Sequence, residues 1–261
     1  MEKETFLFTI DCLNNQSNNT EKVFKEWFDE ELQNITIALE NQYKIFNIGL
    51  NLRSLVNRYN FEEIVQIALL RNFFSFYSIL DLTKKGLIGS ARIIMRNIYE
   101  FLIEAKYIVI THDQKLFEKW NTDGDISLKR DVFSKVEKPN SVAMKQFWRE
   151  LCGFSHASKR SQYLSLLYDT ECYTNLHLNI IFMCILLEMN YHLLITYYLR
   201  GSLEYYINIA ESARDDKEND TLKCLKLKQR EVFNRLRKDY SPISKKIVYD
   251  YKLKWTFHKN T

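Results

Sequence analysis

One short segment gathers the residue types of acid–base chemistry: Phe147-Trp148-Arg149-Glu150-Leu151-Cys152-Gly153-Phe154-Ser155-His156-Ala157-Ser158-Lys159-Arg160. An imidazole titrates near neutrality, so His156 can take a proton from a hydroxyl or return one to a leaving oxygen. A guanidinium such as Arg149 neutralises the charge that builds on phosphoryl oxygens. Together they suit cleavage of RNA at its 2′-hydroxyl, a reaction that requires no metal. In one unbroken helix the two residues share a face but stand about 10 Å apart along the axis. A kink at Gly153, or an antiparallel partner supplying one of them, brings both to one phosphate. Ser155 adds a hydroxyl beside the imidazole, and Lys159 and Arg160 add positive charge. Glu150 opposes a phosphate unless a cation such as Lys159 or Arg160 neutralises it.

A second segment places charge in apolar surroundings. In Arg92-Ile-Ile-Met-Arg96-Asn97-Ile-Tyr-Glu100-Phe-Leu-Ile-Glu104, the residues Arg96, Glu100 and Glu104 repeat at helical spacing along one face. Ile94, Met95, Ile98, Leu102 and Ile103 surround them, so these charges pair within the protein or face a cleft. An interior ion pair that fixes helix register is the structural expectation. Support for the catalytic pair by Arg96 and Glu100 is the functional one.

Other chemistries lack their spacing. Paired metal ligands on a helix read HExxH or, twice, Glu-x-x-His, whereas Glu188-Met-Asn-Tyr-His192 is one residue too long. His177 and His192 are therefore expected to be hydrogen-bonded core residues. Asp123, Asp125 and Ser127 imitate a calcium loop, but Gly124 falls between the acids and Ser134 stands where the bidentate Glu belongs. No Gly-x-Ser-x-Gly elbow occurs. Cys152 near His156 is expected to be a buried, inert thiol. No metal and no cofactor are expected.

Arg149-x6-His156 in a small helical bundle resembles the Arg-x(4–6)-His signature of the HEPN superfamily, at the upper limit of its spacing. That resemblance implies a metal-independent endoribonuclease, a toxin or phage-defence effector, acting as a dimer with a composite site. Arg149 and His156 would be its catalytic residues. Glu150 departs from the Asn, Asp or His usual after the Arg. The wider run, Arg96-x-x-x-Glu100 followed by Ser155-His156-Ala157-Ser158, also resembles an uncharacterised bacterial helical family without an agreed activity. Together the resemblances span about residues 60–200. The alternative they leave is a catalytically silent helical interaction or sensor module.

The elements that must position these residues are helices. The 261 residues include only 6 Gly and 2 Pro, too few for the turns of a many-stranded fold. We expect an all-α, up-and-down bundle of four to five long helices with a basic C-terminal helical tail. The divisions are 1–19 as an N-terminal extension, 20–213 as the bundle, and 214–261 as a charged linker and tail. Periodicity predicts a long first helix capped at Thr20 and bent near Gly49, a helix over 61–84 stopped by Lys84-Lys85-Gly86, and a third over 87–111. Loops and short helices fill 113–140, helical pattern over 141–149 loosens at Gly153, and the apolar stretch about 174–200 forms the central helix. A last helix covers 222–238, and Pro242 bars its continuation.

Net charge is +4, but residues 221–261 carry twelve Lys/Arg against Glu231, Asp239 and Asp250, leaving −5 on the rest. Lys226, Lys228, Arg230, Arg235, Arg237 and Lys238 are thus candidates for nucleic-acid contact, with Lys159 and Arg160. Five cysteines without a CxxC pair, and no signal sequence at Met1, lead us to expect a cytoplasmic protein with reduced thiols. His177, Asn179, Glu188, Asn190 and His192 interrupt the central helix, so no membrane partner is expected. The 14% aromatic content, with stripes such as Phe24, Trp27 and Phe28, predicts a homodimer. RNA and a regulatory protein complete the expected partners.

Overall fold

The computed structural model describes residues 10–53, 60–122, 124, 126–137, 141–155, 172–199 and 216–257. Within them the protein is all-α: α1 (Ile10–Arg53), α2 (Asn60–Lys84), α3 (Ile88–Thr111), α4 (Gln114–Asn121), α5 (Val142–Ser155), α6 (Cys172–Leu193), α7 (Asp216–Leu236) and α8 (Pro242–Lys252). A π-helical turn, Leu128–Val132, precedes α5, and another, Leu194–Leu199, extends α6. The described residues contain no strand, only an isolated antiparallel bridge between Val136 and Phe257.

The α2–α3 hairpin forms where the sequence places it. Gly86 adopts φ 75°, and the Leu87 amide donates back to the Leu82 carbonyl at 2.8 Å, closing α2 with the left-handed cap that glycine accepts most readily. At the far end His112 takes the same conformation at φ 52°, and its ring stacks on Phe61 with centroids 4.9 Å apart.

α6 is the central helix, in contact with α1, α2, α3 and α8. Its stretch Tyr173–Leu199 is long and apolar enough to cross a membrane by length and composition, yet 67% of that window is buried within the bundle, compatible with a soluble protein. Three of the polar residues that interrupt it, Asn179, Glu188 and Asn190, meet distant partners. Asn179 accepts from Arg92 Nε at 2.6 Å and donates to Thr83. Asn190 donates to Gln42 and accepts from Asn72, both at 2.9 Å, while Gln42 donates to the Leu187 carbonyl. The buried carboxylate of Glu188 holds Arg237 at 2.5 Å and Lys252 at 2.8 Å. Satisfied polar contacts of this kind fix which helices lie side by side, because a shifted register strands the groups in an apolar core.

Several boundaries differ from the sequence reading. α1 begins at Ile10 and runs through the Asn-rich stretch and Thr20, and its non-helical geometry falls at Phe28 (φ −131°, ψ 25°), not near Gly49. Gly49 serves another purpose: a Cβ there would stand 2.4 Å from Tyr198 Cε1, so its bare backbone admits the Tyr198 ring. Gly49→Ala is expected to cost about 1–3 kcal/mol in chemical denaturation, the cost of overpacking a filled core. A change under 0.5 kcal/mol, on the order of a neutral surface substitution, would refute that close approach. α5 continues through Gly153 to Ser155 without a break.

The C-terminal segment joins the core. Helix begins at Asp216, inside the run read as linker, and Pro242 starts α8 at its first turn instead of ending helical structure. Leu225, Val232, Phe233, Tyr251 and Trp255 are buried with the main cluster. α7 lies along α1, and α8 touches α5 and α6.

Candidate functional site

α5 is placed by its contacts with α3. The Tyr99 hydroxyl donates to the Met144 carbonyl at 2.7 Å inside the core, and the Tyr99 ring meets Phe147 edge-on at 5.2 Å. One turn further along α5 the interface becomes polar. Arg96 Nε donates to Glu100 Oε1 at 2.8 Å, and Trp148 Nε1 donates to the same oxygen at 3.0 Å. Both members of the ion pair are about three-quarters buried, so the sequence expectation of a pair in apolar surroundings is realised. The Cys152 thiol lies near them; burial pushes it up and the neighbouring Arg96 opposes the rise, leaving a thiol above its ordinary range. A nucleophilic thiolate is disfavoured there.

Arg149 follows the anchored Trp148 and is exposed, as is Glu150. Ser155 closes α5. His156, Lys159 and Arg160 lie outside the described residues. The structure therefore brings Arg96, Glu100 and Trp148 together and presents Arg149 on the adjoining surface.

Glu104 departs from the charge ladder. One turn beyond Glu100 it is 8% exposed and lines an open cleft of about 530 Å³ between α2, α3, α4 and the loop after α4. Glu63 and Arg71 of α2, Phe101 of α3, Trp120 of α4 and Ile126 complete its principal walls. The Arg71 guanidinium lies 4.1 Å above the Phe101 ring. Two carboxylates against one guanidinium leave the lining acidic, with aromatic and aliphatic surface beside the charge, the mixture that holds small molecules. Sequence reasoning missed this cleft, because its walls come together only when α4 folds back beneath the α2–α3 hairpin.

The candidate nucleic-acid residues divide. Arg237 turns inward to Glu188, where it balances a buried carboxylate and is removed from the set able to meet phosphate. Lys228, Arg230, Arg235 and Lys238 are exposed, and Lys226 is half-buried. On α7 the positions of Lys226 and Arg230 flank the buried stripe on one side and those of Lys228 and Arg235 on the other, so they make two edges and not one basic strip.

His192 is half-buried, its ring edge-on to Tyr251 at 5.7 Å. Its Nδ1 lies 3.2 Å from Thr196 Oγ1, and burial, reinforced by Lys106 and Lys252, lowers it to about 3, so the ring is neutral. His177 stacks on Phe28 at 6.0 Å.

Residues 62–147 match a family described as being of unknown function, DUF5677. The match covers about a third of the chain, runs from α2 into α5, takes in Arg96, Glu100 and every wall of the cleft, and ends two residues before Arg149. No curated protein and no solved structure matches the chain.

Proposed function

We propose that the chain is a metal-independent endoribonuclease of HEPN type, a toxin or phage-defence effector whose catalytic residues are Arg149 and His156. The observation that supports this reading is the exposed Arg149 beside a tryptophan tied to the Arg96–Glu100 pair. A guanidinium on an anchored helix keeps its direction when a phosphate arrives, which is what stabilisation of a developing charge demands. In the reaction His156 removes the 2′-hydroxyl proton, the 2′-oxygen attacks phosphorus, and the bond to the 5′-oxygen breaks. That oxygen takes a proton from an imidazolium, and the products carry a 2′,3′-cyclic phosphate and a 5′-hydroxyl. Purified protein incubated with single-stranded RNA in EDTA is expected to yield those ends. Intact RNA after incubation with the wild-type chain would overturn the proposal.

A second reading, a helical sensor module, has its own supporting observation in the cleft at Glu104. Its acidic, aromatic lining fits an organic cation with an apolar body, the ammonium or amidinium near Glu63 and Glu104 and the body against Trp120. Benzamidine is expected to change Trp120 fluorescence on titration, with affinity lost about tenfold or more in Glu104→Gln. Equal affinity in wild type and variant would exclude this use of the cleft.

A further inference from the structure

α2 is apolar on two opposite sides. Ile64, Val65, Ala68, Leu69, Phe73, Phe76 and Leu80 enter the core, which is the face the bundle requires. On the outer side Ile67, Leu70, Phe74 and Tyr77 stand 43%, 41%, 70% and 55% exposed. With Glu63 before them and Asp81 after them, these residues follow one another at steps of four, three, four, three and four, the seven-residue repeat of a helix seam that packs against another helix. Scattered surface hydrophobics need no explanation, whereas an uninterrupted seam of aromatic and aliphatic side chains marks an interface. Tyr43 of α1, 47% exposed and edge-on to Phe73 at 5.6 Å, widens the surface.

The ends of the seam point to its occupant. Exposed Glu63 stands at its start and Lys84 and Lys85 at its finish, with Asp81 already neutralised by Lys85 at 2.8 Å. A second α2 laid antiparallel brings Glu63 of each copy to the lysine end of the other. A parallel arrangement would set acid against acid and base against base. The six seam positions are also symmetric under this reversal: Leu70 opposes Phe74, Ile67 opposes Tyr77, and Glu63 opposes Asp81, whose charge Lys85 already balances, which leaves Lys84 as the added positive charge at that end. We infer that α2 is a self-complementary docking surface through which two copies of this chain pair antiparallel about a two-fold axis near residue 72.

The inference differs in its residues from the sequence expectation of a dimer, since Phe24 and Phe28 of the first aromatic stripe are buried within the bundle and only Trp27 remains 45% exposed. It also stands apart from RNA cleavage, because association is measured without RNA. Sedimentation equilibrium of the full chain at tens of micromolar is expected to give twice the 31.4 kDa of one chain. Phe74→Glu places two carboxylates at the centre of the seam and is expected to weaken association by about 10² or more. Phe74 projects away from the core, 70% exposed, so the variant is expected to keep its helical circular dichroism. Leu227→Glu, at a residue 54% exposed on α7, is the matched control and is expected to leave the dimer intact. A monomeric wild type, a dimeric Phe74→Glu protein, or equal dissociation by both variants would each overturn the inference.

Discussion

Unfolding free energy is expected to rise by roughly 2 kcal/mol between pH 7 and pH 9, and Lys106→Met is expected to remove that rise. Lys106 lies on α3, fully buried, and its ammonium donates to the carbonyls of Tyr251 and Leu253, the latter at 3.0 Å, where α8 ends. The rings of Tyr251 and Trp255 lie 4.6 and 4.3 Å from Nζ. These contacts favour a cation at a helix C-terminus, but burial outweighs them and lowers Lys106 from 10.5 to about 7. The folded protein therefore gives up this proton near pH 7 while the unfolded chain keeps it to about 10.5, so across that window the unfolded state binds more protons and stability climbs with pH. Below the window both states are protonated and the contribution is flat. Methionine fills similar volume without a charge but leaves the two carbonyls unpaired, a cost of about 1–3 kcal/mol. The two stability curves should consequently converge toward pH 6 and separate toward pH 9, read by denaturant titration at fixed ionic strength. A Lys106→Met protein that keeps the full wild-type slope would refute the assignment. His192 acts in the same direction at lower pH: neutral in the fold to about 3, it weakens stability as the unfolded chain takes up a proton below 6.5.

How far the sequence carried the fold depended on whether each signal was local. Lys84-Lys85-Gly86 states its own cap, and the structure ends α2 there with Gly86 at φ 75°. Asn14, Asn15, Asn18 and Asn19 suggest a loop by propensity, yet α1 runs through them, since each such residue costs only about 0.7 kcal/mol and a long packed helix absorbs it. Pro242 is ambiguous in sequence, because the missing amide that ends one helix is also tolerated in the first turn of the next. The polar residues of α6 could be seen but not explained: Asn190 meets Asn72 and Gln42 at separations of 118 and 148 residues, and no local pattern encodes such pairs. The same distinction divides the site. Arg96 and Glu100 pair one turn apart and were legible, whereas Trp148 completing that pair, Arg237 turning to Glu188, and α4 closing the cleft over Glu104 depend on how helices cross.

Arg149→Ala and His156→Ala are each expected to lower RNA cleavage by about 10² or more, because in the proposed reaction each group acts on charge or a proton in the transition state. Stability provides the control that makes the result interpretable. Arg149 is exposed, so its replacement should leave unfolding free energy within about 0.5 kcal/mol of wild type, and lost cleavage could not then be attributed to unfolding. Arg149→Lys retains charge but gives up the planar fork that spans two phosphoryl oxygens, and an intermediate rate is expected. Glu100→Gln separates positioning from chemistry. The amide oxygen still accepts from Trp148 Nε1, so α5 keeps its anchor, while Arg96 loses its ionised partner at 2.8 Å. If that pair only holds α5 in place, cleavage should fall less than tenfold while stability drops by about 1 kcal/mol. A loss equal to that of Arg149→Ala, with stability unchanged, would instead put Arg96 or Glu100 in contact with the RNA. Retention of full cleavage by Arg149→Ala would remove the guanidinium from the mechanism, and with it the residue on which the structural support for ribonuclease chemistry rests.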